Sequence, residues 1–486
     1  MKNDIGFKKI GKTKPARLKR RAYFYIIFIF EFIDRLFNLC HNGHKGVDIM
    51  KNKVHSSAKL GGRIWASIVL FGLAGQLAWV IENMYFNVYL FDAVGGTATD
   101  IAAMVAASAV TAAVTTLVMG ALSDKIGKRK VFIVAGYIIW GIITASFGFI
   151  TVDNTEKIFH VANAAATASV LVIIMDCVMT FFGSTAFDAA FNSWVTDVTD
   201  SSNRGRAETV LQALPLLAII IVFGVLDGFK QRGEWQTFFL IVGIATTVCG
   251  IIGAFFLKDK PGIKASDGNY FKNIFYGFRP STIKNNKKLY IAFLPFCIFS
   301  IAYQVFMPYI MIYLEKTLGI TDYAIPLGVI LIVSAVISVL FGKVIDKFGK
   351  IRCLLPAAIA LVIGFVLMYF AKGDNLPVLM IFGAVMMGAY LVASACICGT
   401  IRDYTPQDKV GLFQGVRMVF QVLIPMVTGP YIGAAVIENN NQTYVEFGTV
   451  KNIPTANIFL ASAAVAVFAL IPIIVLLKKE KSKNSI

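Results

Sequence analysis

Charge is scarce in this chain of 486 residues: 15% are Asp, Glu, Lys or Arg, where a soluble protein carries about 25%. With 57% hydrophobic residues and a mean hydropathy of +0.71, that scarcity excludes a soluble fold of one or two domains. Polar/apolar alternation is also missing. A membrane β-barrel needs it in segments of about 10 residues, and the runs Leu211 to Leu226 and Ala463 to Leu477 do not alternate, so a barrel is excluded. Cysteine is limited to Cys40, Cys177, Cys249, Cys297, Cys353, Cys396 and Cys398. Most lie inside apolar runs, where Cys acts as a small hydrophobe, and no disulfide framework is implied. The four histidines fall in the leader or an outer loop, and no nucleophile has a base beside it. An enzyme is not expected.

What is abundant is apolar length. A bilayer helix takes about 20 apolar residues, so the chain beyond residue 60 has room for roughly 12 to 14 of them. Apolar segments fall at 65–91, 101–122, 131–151, 165–193, 207–227, 237–257, 289–314, 325–342, 353–371, 377–399, 411–436 and 455–477. Lys and Arg outnumber Asp and Glu 46 to 28, and their placement tracks topology rather than nucleic acid. Residues 1–63 carry 15 of them, and 123–130, 199–206, 258–288, 343–352, 401–410 and 478–483 carry most of the rest. The intervening segments 92–100, 153–163, 228–236, 315–323, 371–376 and 438–454 hold six. By the positive-inside rule the first set is cytoplasmic, which requires twelve spans with both termini inside. Lysine-rich leaders and the absence of disulfides fit a bacterial inner membrane, a plasma membrane.

The longest cytoplasmic connection divides the spans six and six. The implied organisation is a basic extension over 1–60, a six-helix bundle over 61–257, a linker over 258–288, a second bundle over 289–477 and a basic tail over 478–486. The extension admits two readings: its apolar stretch Ala22 to Ile33, too short to span, is an interfacial helix, or translation starts at Met50. Small residues crowd the second span, from Ala102 to Ala113, which lets helices approach closely.

The halves repeat. Gly120, Asp124, Gly127, Lys128 and Lys130 in GALSDKIGKRK recur 222 residues on as Gly342, Asp346, Gly349, Lys350 and Arg352 in GKVIDKFGKIR. Asp197 and Thr199 recur 206 residues on as Asp403 and Thr405. Duplicated six-helix halves, with substrate near the midplane between them, are how many secondary carriers are built.

The repeated loop, between spans two and three and between eight and nine, resembles the signature of the major facilitator superfamily. The resemblance extends over the chain from about residue 60 and implies an all-α membrane protein of 12 helices in two pseudo-symmetric six-helix bundles around an alternately opening cavity. It makes Gly120, Asp124, Gly127 and Arg129, with Gly342, Asp346, Gly349 and Arg352, a gating latch rather than a substrate site. Residues 187–208, FDAAFNSWVTDVTDSSNRGRAE, are similar to the same region of the glycoside/pentoside/hexuronide:cation symporters and the sucrose/proton symporters. In the melibiose permeases of that group an Asp matching Asp188 helps bind the coupling cation. Those permeases carry two more Asp in the second span, where this chain has Ala112 and Thr116, and a sugar-binding Asp on the first span, where this chain has Gln76. The departure shifts the expectation from sodium to a proton.

Ionised groups inside a bilayer are costly and normally face a cavity or a partner. On span four, Thr180, Ser184, Asp188 and Asn192 recur every four residues as one polar stripe. Asp176 lies twelve residues before Asp188, about 18 Å away at 1.5 Å per residue, on another face where it can pair with a neighbouring helix. On span one, Gln76, Asn83 and Asn87 share a face, with Glu82 beside them. Set against Trp79, Tyr85 and Phe86, they suit the hydroxyls and ring faces of a sugar, or they tie helices together. Family analogy adds Ser300, Tyr303 and Gln304 on span seven and Tyr390 and Ser394 on span ten as cavity-lining residues. Arg417, near Gln414 and Gln421, either snorkels to the cytoplasmic surface or counter-charges Asp188. Pro215, Pro308 and Pro425 sit within spans, where a missing N–H invites a bend.

Two motifs mislead. Gly6 to Thr13, GFKKIGKT, satisfies the Walker A pattern but has no strand before it, and Pro15 follows where a helix should begin. Cys40, His41 and His44 lack an obvious fourth ligand. No cofactor or metal is expected. The expected function is proton-coupled symport of a sugar or glycoside by a monomeric carrier, with Asp188, then Glu82 and Asp176, as cation-coupling acids and Gln76, Asn83, Asn87, Ser184 and Asn192 among the substrate contacts. The alternatives are an exporter of drugs or metabolites, with a more apolar and aromatic cavity, and a sensor that keeps the carrier fold without transporting.

Overall fold

The computed structural model describes residues 60–200, 203–259, 275–406, 410–446 and 449–484. The basic extension, Gly6 to Thr13, the Cys40, His41 and His44 trio and residues 260–274 of the linker lie outside the described residues. Among the described residues, twelve helices are long and apolar enough to cross a membrane. The first six are α1 Gly62–Phe86, α2 Ala98–Ile126, α3 Arg129–Phe149, α4 Ala164–Val198, α5 Val210–Gln231 and α6 Trp235–Phe256. The second six are α7 Lys287–Thr317, α8 Ala324–Gly342, α9 Lys350–Tyr369, α10 Leu376–Tyr404, α11 Gly415–Glu438 and α12 Asn457–Glu480.

Local chemistry sets the helix ends. Thr97 and Asp100 cap α2 reciprocally: Asp100 N–H donates to Thr97 Oγ1 at 3.2 Å, and Thr97 N–H donates to Asp100 Oδ2 at 2.8 Å, satisfying donors a helix start leaves free. Asn163 and Asn375 cap α4 and α10 through their side-chain oxygens. The chain turns after α2 at Gly127, with φ of 68°, and after α8 at Gly349, with φ of 91°. Only glycine adopts such angles without strain, which explains why both copies of the repeated loop carry one.

Packing repeats with an offset of six. In the first half α1 packs on α5, α2 on α4, and α3 on α4 and α6; in the second α7 packs on α11, α8 on α10, and α9 on α10 and α12. The halves meet where α2 lies against α11, and α5 touches α8. The α3–α6 contact is so close that a Cβ on Gly141 would stand 2.5 Å from the Gly243 carbonyl oxygen. On the outside, stripes such as Val110, Val114 and Val118 on α2 and Val336, Val339 and Leu340 on α8 are exposed. Helices whose backbone bonds are satisfied internally can present such faces to lipid.

One connection differs from a plain loop. Between α11 and α12, strand β1 (Thr443–Glu446) pairs antiparallel with β2 (Thr449–Asn452), with Tyr444 opposite Lys451. Its Tyr, Val and Thr residues favour extended pairing.

Candidate functional site

The polar stripe of α4 runs from the surface to the interior. Asn192 is exposed, Asp188 is half-buried, and Ser184 and Thr180 are buried; Asp176, apart from the stripe, is buried too. A wide π-helical turn over Ser184–Phe191 carries the first part of it, a local widening common at functional sites. Ser184 Oγ donates to Asp188 Oδ2 at 2.9 Å, and Asn192 Nδ2 donates to the Asp188 backbone carbonyl at 3.2 Å.

Facing it, a second π-helical turn on α1, Ile81–Phe86, carries Glu82 and Asn83. Asn83 is exposed and Gln76 half-buried, whereas Asn87 is buried with its Oδ1 unpartnered. Glu82 Oε1 accepts from Ser108 Oγ of α2 at 2.7 Å and from Thr180 Oγ1 of α4 at 3.1 Å. Asp176, placed by its sequence position near a neighbouring helix, stands beside Ser108 and within electrostatic reach of Glu82. The aromatic platform is not as expected. Tyr85 and Phe86 are fully buried against Phe238, Phe147 and Phe239, because they point into the bundle and not toward the stripe. Trp79 remains half-buried, 5.3 Å from the Trp140 ring.

On the other half, Tyr303 of α7 and Tyr390 of α10 stack with ring centroids 4.8 Å apart and planes 17° from parallel. Ser300 and Ser394 flank the Tyr390 hydroxyl within hydrogen-bonding reach. Gln304 lies against Gly429 of α11. Arg417 Nε donates to Gln421 Oε1 at 3.0 Å, one turn along its own helix. Its pairing with Asp188 is not the arrangement of this structure. Gln414 has its backbone in the helix Val410–Met418. Tyr303 also borders an apolar pocket with Met84, Phe306, Met307, Met386 and Met387.

The repeated loops build ion pairs of unequal kind. Arg129 pairs with Asp124, donates through Nε to Asp197 Oδ2 at 3.1 Å and through Nη1 to Ser123 Oγ at 2.6 Å. One guanidinium thus fastens the ends of α2, α3 and α4, with only 6% of its side chain exposed. The expected pair of Asp346 with Arg352 rests on an Asp346 side chain that lies outside the described residues. Arg352 is exposed, and Lys350 Nζ pairs with Asp403 Oδ2 at 2.6 Å. The residue 222 positions after Arg129 is Ile351, and the cation that meets Asp403 comes from Lys350. In both halves the two sequence echoes therefore meet in space.

At the end opposite these loops, bonds between the halves cluster. Lys230 of α5 pairs with Glu315 of α7, and Lys316 Nζ stands 3.2 Å from Asp92 Oδ1 as an ion pair. Tyr323 donates to Asp227 Oδ1 at 3.2 Å, which also accepts from Tyr85 at 2.9 Å. Tyr309 of α7 donates to the carbonyls of Ala98 at 3.1 Å and Pro430 at 2.8 Å. Thr99 bonds Glu438, and Lys451 of β2 reaches the Phe91 carbonyl, its ammonium 4.5 Å from that ring. Burial pushes the carboxyl of Asp92 above its ordinary value, with Lys316 pulling the other way. This end is sealed while the stripe opens toward the motif loops.

Sequence reasoning counted Lys230, Lys316 and Lys451 for topology alone and passed over Asp92, Asp227 and Glu315. A signal existed: Asp227 and Lys230 are three apart at a helix end, and Glu315 and Lys316 are adjacent. Ser108 was hidden in a span read only for its alanines.

The sequence profile of the Major Facilitator Superfamily matches residues 64–397 and 327–486. No curated protein matches the chain. Among solved structures, the nucleoside transporter NupG superposes with a TM-score of 0.64 at 13% identity, covering 85% of this chain and 99% of that one. A D-xylose-proton symporter gives 0.63 at 13% identity, covering 84% and 96%. A bacterial homolog of the human lysosomal transporter Spinster gives 0.62 at 14%, covering 87% and 98%. At such identities these likenesses concern the fold.

Proposed function

The chain belongs to the major facilitator superfamily, a family of transporters and not of enzymes, and from that premise we propose that it carries a sugar or glycoside by alternating access, in symport with a proton. The observation that carries this reading is Asp188. It sits half-buried on a stripe that opens toward the motif loops, and among the described residues its carboxyl oxygens bond only Ser184. A bare carboxylate is costly to move through apolar surroundings, and a bound proton removes that cost. Gln76, Asn83, Ser184 and Asn192 on one side and the stacked Tyr303 and Tyr390 on the other offer hydroxyl partners and ring faces to one substrate. By the positive-inside rule the motif loops and both termini are cytoplasmic, so the sealed end faces outward across the plasma membrane and the conformation is inward-facing. The carrier is proposed to work as a monomer.

The test is reconstitution with imposed gradients and a panel of labelled sugars. A proton gradient drives uphill uptake by the unaltered protein, whereas Asp188→Asn leaves exchange and loses accumulation. Unchanged uphill uptake by Asp188→Asn would refute the coupling role. A second reading, export of an apolar compound, draws on the methionine-rich pocket beside Tyr303. It predicts that deleting the gene raises cellular retention of such compounds.

A further inference from the structure

The β1–β2 hairpin is fastened to one half of the molecule and grips the other. Its base is tied within the second half: Asn452 Nδ2 donates to the Glu438 carbonyl at 2.7 Å and Asn440 Nδ2 to the Ile453 carbonyl at 2.8 Å. The Ile453 N–H donates to the Gln442 carbonyl at 3.0 Å, and Thr317 Oγ1 of α7 bonds the Pro454 carbonyl. Directly opposed residues of paired strands share a face, and the register sets Tyr444 against Lys451 and Val445 against Val450. Because successive side chains alternate, these two pairs point opposite ways. The valines are 65% and 63% exposed, whereas Lys451 is 2% exposed.

Lys451 reaches across to the first half. Its ammonium donates to the Phe91 carbonyl and lies 4.5 Å from the centre of that ring. Phe91 belongs to the π-helical turn Tyr89–Ala93, where the helical chain that follows α1 runs out. The last carbonyls of a helix have no donor within it, and a cation placed there meets the negative end of the helix dipole. The ring face adds attraction for the same charge. Beside it, Lys316 of α7 pairs with Asp92 and stands 5.0 Å from the Tyr444 ring, so the inward face of the hairpin also covers that ion pair.

We infer that the hairpin is a strap that travels with the second half and holds the sealed end shut, with Lys451 as its catch on the end of α1. When two bundles part as rigid bodies, contacts within one bundle persist and those between bundles must break. The base of the hairpin is of the first kind and the Lys451 contact with Phe91 of the second. The catch closes on a carbonyl and a ring face, not on a carboxylate, which makes it a separate fastening from the Lys230–Glu315 and Lys316–Asp92 pairs.

The experiment uses the full chain in proteoliposomes of one orientation, with Asn83→Cys and an impermeant maleimide added to the sealed side. Labelling is corrected with the same proteins lacking Asn83→Cys. Lys451→Met keeps the side-chain length and removes the ammonium; sealed-side labelling is expected to rise about tenfold, while labelling from the motif side stays within about twofold. Phe91→Leu keeps the carbonyl and removes the ring, for a rise of about threefold, and serves if Lys451→Met does not fold. The double variant V445S/V450S, altered on the exposed face of the hairpin, stays within about twofold. Unchanged sealed-side labelling in the folded Lys451 and Phe91 variants overturns the strap. A rise of equal size in V445S/V450S overturns it too, since a loosened hairpin and not a released catch would then open the end. Neither cargo nor gradient is present in this measurement, so its failure is separate from a failure of the transport reading.

Discussion

The two halves share one set of helix pairings and differ in where they keep charge. In the first half Asp176 and Asp188 lie ten or more residues from the ends of α4, and Glu82 of α1 is buried. In the second, the acids of the spans, Glu315, Asp403, Glu438 and Glu480, all stand within three residues of a helix end. The second half carries the stacked Tyr303 and Tyr390 instead, beside a methionine-rich pocket. Duplication thus conserves packing, which depends on residue size and helix register, while each copy is free to specialise in chemistry. On the proposed function, one half would handle the proton and the other would grip an apolar ring face.

The sharpest way to break that comparison is to disable each side in turn. At about 150 mV one proton supplies roughly 3.5 kcal/mol, enough for a few hundred-fold accumulation. Asp188→Asn is expected to bring accumulation in vesicles energised by an inward proton gradient to about onefold. Tyr303→Ala is expected to raise KM about tenfold, consistent with an aromatic contact of about 1 kcal/mol plus lost burial, with the gradient dependence intact. If Tyr303→Ala instead uncouples transport, the division of labour between the halves is wrong.

The motif loops give the next contrast. Removing Arg129 strands Asp124 and Asp197 around a buried gap, and breaking such a pair costs about 3 kcal/mol. Lys350 and Asp403 have 38% and 56% of their side chains exposed, and an exposed pair contributes under about 1 kcal/mol. Thermal unfolding in detergent should therefore show a clear loss for Arg129→Ala and little change for Lys350→Ala. Equal losses would mean that the second loop is held as firmly as the first.

Most of the architecture was legible in the sequence because its determinants are one-dimensional. Apolar run length sets the spans, and the 222-residue echo exposes the duplication. The site was legible only in part. The stripe on α4 shows as a four-residue spacing, but the same periodicity on α1 does not say which side faces the chamber. Tyr85 and Phe86 therefore looked like ring platforms and proved to be core. Partners across the halves, such as Lys230 with Glu315, are 85 positions apart, and no local pattern announces them. In the second half Lys350 meets Asp403, and Ile351 occupies the place of Arg129.

The sealed end offers a smaller but more direct test of alternation. Truncating one member of a buried charge pair costs about 2 kcal/mol or more, so Lys230→Ala is expected to shift the balance toward the outward-open form at least about tenfold. A cysteine at the exposed Asn83 reports this. With Lys230 present, an impermeant maleimide labels it only from the motif side; with Lys230→Ala, labelling from the opposite side rises about tenfold. No rise would mean that Tyr309, Tyr323 and the β1–β2 hairpin hold the end shut by themselves.

Asp92 should give the smallest effect, and its sign can be worked out. Its carboxyl is raised by burial in the sealed form, with Lys316 and Lys230 lowering it and Glu315 raising it. Once the end opens, the group returns to water and to an ordinary value near 3.8. The sealed form therefore binds the proton more tightly, and acidification favours sealing. The contribution is fully present below the ordinary value and fades as pH rises through the raised one. Asp92→Asn removes this dependence and also the ion pair with Lys316. The two losses oppose each other, because the amide no longer carries the cost of a buried charge. The net change in Asn83→Cys labelling from the sealed side should stay within about fivefold, about 1 kcal/mol. Labelling of the Asp92 protein should fall as pH drops from neutral toward 4, and that of Asp92→Asn should fall less. The opposite slope would mean that the ion pair with Lys316 outweighs burial, and that this end is latched by charge and not merely closed over it.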